Sequence, residues 1–136
     1  MKTKLMTILA AAAAALVTSS IPVSAHHSFS AEFDSKKEVT LNGRVSKMDW
    51  VNPHAWLYID VERDGKVEHW AVEFGSPNVL FRNGWKRDSL PEGTRVIVKG
   101  FAAKDGSLRA NSRGVEFPDG RKLDTGSSFT GDGKGK

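Results

Sequence analysis

The amino-acid sequence predicts a mainly β domain, a small barrel of five to six strands with one short helix between strands three and four. Three observations predict it. The stretch "HAWLYIDVERDGKVEHWAVEF", His54 to Phe74, holds two alternating apolar and polar runs around Asp64-Gly65. Shorter alternating runs recur on either side of it, divided by turn residues. Between them, "GSPNVLFRNGW", Gly75 to Trp85, carries the start and stop signals of a short helix.

In chain order, residues 1–25 read as an export leader. Lys2 and Lys4 precede an alanine-dominated apolar run from Leu5 to Val17, and Val23-Ser24-Ala25 is the small-x-small pattern that signal peptidase reads. The run is too short to span a bilayer, which takes about 20 residues. Cleavage after Ala25 takes 25 of the 136 residues, leaves 111 and makes His26 the mature amino terminus. That length suits one small domain.

His26 to Lys37 reads as a polar lead-in with Phe29 and Phe33 as aromatic anchors, and the barrel domain is expected over 38–125. Val39, Leu41, Gly43 and Val45 alternate with polar residues before the apolar parity shifts to Met48 and Trp50, which suggests a bulge with Gly43 as its expected place. Asn52-Pro53 ends this strand. Asp64-Gly65 is the dipeptide of a two-residue type I′ hairpin, which pairs Arg63 with Lys66. One face then stacks Ile59 on Trp70, Leu57 on Val72 and Ala55 on Phe74, and is core. The other carries His54, Trp56, Tyr58 and Asp60 opposite Gly75, Glu73, Ala71 and His69.

Ser76 suits a helix N-cap, Pro77 the first helical position and Gly84 the stop. Arg95 to Phe101 and Leu108 to Phe117 are further strands, the latter bulged near Gly114, with turns at Pro91 to Gly93, Lys104 to Ser107 and Asp119-Gly120. Residues 126–136, rich in glycine, serine and lysine, read as a disordered tail. Three strands, a short helix and two more strands is the connectivity of the Greek-key barrel called the OB-fold.

Composition narrows the function. The chain has 20 Lys and Arg against 16 Asp and Glu, and loss of Lys2 and Lys4 with the leader lowers the excess from +4 to +2. This is ordinary solubilising surface and not a nucleic-acid footprint. Without cysteines there are no disulfides, and any metal must use histidine, carboxylate or main-chain ligands. A periplasmic or secreted protein without a transmembrane segment is expected, with a small ligand or a periplasmic partner.

Three motifs in combination, "AHHSF" at Ala25 to Phe29, "WVNPHAW" at Trp50 to Trp56 and "FGSPNVLFRNGW" at Phe74 to Trp85, closed by "DGR" at Asp119 to Arg121, resemble an uncharacterised family of small exported bacterial proteins, a domain of unknown function. The resemblance covers essentially the whole mature chain. It implies export and a single domain, and it supplies no catalytic residues.

Two binding readings stand side by side. In the first, cleavage gives His26 a free α-amine beside its imidazole, a chelate for copper; a second histidine completes the planar nitrogen arrangement that Cu(II) favours. This resembles, at the terminus alone, the histidine brace of secreted copper proteins. The other amino-terminal copper motif needs histidine at mature position three, where Ser28 stands. His26, His27 and His54, with Glu73 as ligand or as orienter of a ligand, form the candidate site for copper or zinc. His69 lies about 20 Å from His54 along the strands, too far for a shared ion, and pairs with Asp60. In the second reading the domain binds no metal, its histidines are structural, and Trp56 and Tyr58, with Trp50 and Trp85 near, dock a carbohydrate, peptide or partner protein. The alternative for these rings is to close the barrel's other side.

Catalysis has least support. Ser28, Ser76 and Ser112 lack a nucleophile-elbow context, and Gly75-Ser76-Pro77 lacks phosphate-loop spacing. The carboxylate pairs Glu32 with Asp34 and Asp60 with Glu62 are ordinary for exposed strands.

Overall fold

The computed structural model describes residues 26–129; the expected leader and the tail from residue 130 onward lie outside them. In chain order the elements are α1 (His26–Glu32), β1 (Phe33–Asp49), β2 (Trp56–Arg63), β3 (Lys66–Glu73), α2 (Pro77–Arg82), β4 (Arg95–Ala103), β5 (Arg109–Glu116) and β6 (Lys122–Asp124). The sheet runs β3-β2-β1-β4-β5-β6, and β3 pairs in addition with β5. That extra pairing closes five strands into a ring. It is parallel and joins Ala71, Val72 and Glu73 to Arg109, Ala110 and Asn111, while every other pairing is antiparallel. With α2 between β3 and β4, this is the OB-like Greek-key barrel that the order of elements predicts.

The β2–β3 hairpin sets the register of the barrel. Arg63 faces Lys66 and the ladder runs to Trp56 opposite Glu73, as the Asp64-Gly65 turn dictates. Both turn residues have positive φ, 52° and 74°, the backbone of a type I′ turn. Ala55, Leu57, Ile59, Trp70, Val72 and Phe74 all point into the core. Each fully buried aliphatic side chain there is worth about 1.5–3 kcal/mol against exposure to water.

β1 carries a register shift between Val45 and Lys47, not at Gly43. The parity change itself lies between Val45 and Met48, so the extra residue must too. Gly43 serves close approach instead, because a Cβ there would sit 2.6 Å from the Asp60 carbonyl oxygen. The β5 bulge falls beside Gly114, where Lys99 faces Gly114 and Gly100 faces Ser112, leaving Arg113 extra. In α2 the Ser76 hydroxyl accepts from the Val79 amide, Pro77 opens the helix and Gly84 follows it at φ 91°.

Two segments differ from the expectation. The lead-in is helical over His26–Glu32, and β1 starts at Phe33 rather than near Glu38. Phe29 and Phe33 explain it, for they bury against Phe101 and Ala103 on the outer face of β4 as a second small core. Gly126 to Phe129, expected in the disordered tail, pack on the domain. Phe129 joins that second core, with ring centroids 4.6 Å from Phe101 and 5.0 Å from Phe29. The Thr125 hydroxyl donates to the Ser112 carbonyl, and the Gly75 amide donates to the Thr125 carbonyl at 2.7 Å. No helix among the described residues is long and apolar enough to cross a membrane.

Candidate functional site

Glu73 ends β3 where the hairpin ladder meets the parallel seam. Its neighbours are Trp56 on β2 and Asn111 on β5. The position buries its carboxylate, and the residue is only 5% exposed. A buried carboxylate needs partners, and two converge on its Oε1. The Asn111 side-chain amide donates to it at 3.0 Å. The His54 Nδ1 lies 3.5 Å away, an ion-pair distance rather than a tight hydrogen bond. His54 reaches this point because Ala55 extends the ladder past β2, with its amide donating to the Gly75 carbonyl and its carbonyl accepting from the Phe74 amide.

Electrostatics at Glu73 pull both ways. Burial pushes the carboxyl above its ordinary range; the His54 imidazole and the Asn111 amide pull it partway back. The neighbouring Glu32 carboxylate raises it further and the Arg109 guanidinium lowers it.

Arg109 ties α1 to this end of the barrel. It donates to the Glu32 carboxylate at 2.8 Å, and its guanidinium lies 5.3 Å from the Trp56 ring centroid and 5.9 Å from that of Phe33. Glu32 is the last residue of α1, and its carbonyl accepts from the Lys104 amide. His26 and His27 are placed by their backbone as the first two residues of the same helix. Asn111 is fully buried, and its amide group also reaches the Ser128 hydroxyl while its carbonyl accepts from Ser127. Among the described residues, no three His, Asp or Glu side chains form a group able to hold a metal ion.

Trp56 and Tyr58 share the outer face of the hairpin and are half-buried. Cations cover both rings, Arg109 over Trp56 and Lys47 over Tyr58 at 5.7 Å. Trp50 and Trp85, expected near them, are elsewhere. Trp50 stacks on Phe81 of α2 at 5.2 Å, and Trp85 is core, donating its indole N–H to the Asp124 carbonyl. Trp50 lies just past the end of β1 at Asp49, and Trp85 follows α2 and packs its ring against Phe74 and Phe117. His69 pairs with Asp60 at 2.6 Å, apart from the cluster.

Sequence reasoning missed Asn111 and Arg109. One signal existed for Asn111, a carboxamide beside the apolar Ala110 in a strand. Arg109 had none, since its partners come from the other end of the chain.

No curated protein matches the sequence. A family profile described as a family of unknown function (DUF6152) matches residues 13–112, and the chain belongs to that family.

Proposed function

We propose that this is an exported, periplasmic binding protein that takes up Cu(II), with Zn(II) as the weaker fit, through the amine and imidazole of a processed His26 together with His54. The contact between His54 and Glu73 carries the reading. A carboxylate at Nδ1 favours the tautomer that carries its proton there. That leaves the Nε2 lone pair as a ligand, the arrangement found behind most metal-binding histidines. The Glu32–Arg109 contact supports it further, since it fastens the helix that begins at His26 to the barrel end holding Glu73. His27 is the reserve ligand from the same helix.

The test is a Cu(II) titration of the chain beginning at His26 and of one with a single residue added before it. The extension removes the amine–ring chelate, so affinity should fall at least tenfold, about 1.4 kcal/mol. Equal affinities, or no binding by either, overturn the reading.

The metal-free alternative, docking of a carbohydrate, peptide or partner on Trp56 and Tyr58, is favoured by the partial exposure of both residues. Against it, Arg109 and Lys47 already occupy a ring face that a stacking ligand would need.

A further inference from the structure

A cavity of about 550 Å³ opens on the outer face of β1, β4 and β5, within the range of small-molecule sites. Thr40 and Ile97 line its floor. Phe129 forms an aromatic wall, and Lys99, Arg113 and Glu38 border it. The wall is built, not incidental. Phe129 is held by the Phe29 and Phe101 rings, its amide donates to Ser127, and Gly126 is pressed against Gly75 so closely that a Cβ on Gly75 would lie 2.5 Å from the Gly126 carbonyl.

Arg113 is the extra residue of the β5 bulge, and bulges recur where a side chain must be re-aimed. Its guanidinium lies over the Phe101 and Phe129 rings at 5.6 Å and 5.9 Å. Among the described residues, neither Arg113 nor Lys99 reaches a carboxylate within 4.0 Å. The other charges of the lining are engaged. Glu116 pairs with Lys122 at 3.6 Å, and Asp124 accepts from the Asn83 side chain and the Gly126 amide. Lys99 and Arg113 are thus the two cations of the lining without a carboxylate partner, while Glu38 and the hydrogen-bonded Asp124 keep their negative charge elsewhere on its border.

We infer that this cavity is a second binding site, for a small organic anion with a flat apolar body. The acid group sits between Lys99 and the Arg113 fork, and the body lies over Thr40 and Ile97 with Phe129 as the side wall rather than as a stacking face. This site is independent of the metal reading.

The test uses the aromatic sulfonate 8-anilinonaphthalene-1-sulfonate as probe, followed by fluorescence, with the uncharged N-phenyl-1-naphthylamine as comparator. The sulfonate should bind in a one-to-one ratio and the neutral amine about tenfold more weakly, the worth of one charge-assisted contact. Lys99→Gln and Arg113→Gln should each weaken the sulfonate about tenfold, Arg113→Lys should weaken it less than Arg113→Gln because it keeps the charge but not the fork, and Glu38→Gln should tighten it. Circular dichroism and melting of each variant establish that it is folded. Equal binding of the two probes overturns the inference. So does unchanged sulfonate affinity in a folded Lys99→Gln/Arg113→Gln double variant, or an Arg113→Lys variant no better than Arg113→Gln.

Discussion

The Asn111 side-chain amide lies 3.0 Å from the Glu73 carboxylate across the seam between β5 and β3, and both residues are buried. The pair sits where the barrel closes, so the chemistry of Glu73 and the closure of the fold are linked.

Glu73→Gln should change how stability depends on pH. Burial raises the Glu73 carboxyl above its ordinary 4.5, against the pull of His54, Asn111 and Arg109 and with the push of Glu32. The folded state therefore holds this proton more tightly than the unfolded chain does. Its contribution is fully present below 4.5 and is lost as pH rises through the folded value. Urea midpoints at pH 4 and pH 7 should show Glu73→Gln gaining on the wild type at the higher pH. A variant that loses ground to the wild type between pH 4 and pH 7 contradicts the account.

His54→Ala should weaken Cu(II) capture by the chain beginning at His26 by about tenfold or more, and Glu73→Gln by about tenfold through loss of the tautomer it holds. Thermal melts give a second reading. Cu(II) in excess should raise the melting temperature of the wild type, and chelation should return it. The rise should shrink in His54→Ala.

Phe29→Ala should cost about 3 kcal/mol, as for other buried aromatic truncations. Phe29 meets the rings of Phe33, Phe101 and Phe129 at once, so its loss unfastens α1 and the C-terminal segment together. Chemical denaturation measures the first effect. Faster proteolysis within residues 26–37 measures the second.

Gly75→Ala should destabilise by about 2 kcal/mol through overpacking, because its Cβ would meet the Gly126 carbonyl at 2.5 Å. The nearest relief is retreat of residues 125–129, which exposes Phe129. Hydrogen exchange should quicken at the Gly75 amide, whose acceptor is the Thr125 carbonyl.

The hairpin was legible in the sequence because one dipeptide, Asp64-Gly65, imposes both the pairing and the faces, and the apolar residues agree with it. The diagonal meeting of His54 and Glu73 came from that same register. α1 was not legible. "HHSFSAE" has no apolar stripe at helical spacing, and the helix depends on Phe29 finding Phe101 and Phe129 far along the chain. Gly126 to Phe129 failed for a like reason, since one aromatic anchor outweighs a flexible composition. Asn111 joined the site only through the parallel seam, which no local pattern marks.

That seam has three residue pairs, while the antiparallel ladder of β2 and β3 has eight. Its partners Glu73 and Asn111 are 38 positions apart, so the ring stays an open ribbon until β5 arrives. A nascent chain halted before Arg109 would present the free side of β3 as a sticky template, bare of its last stave.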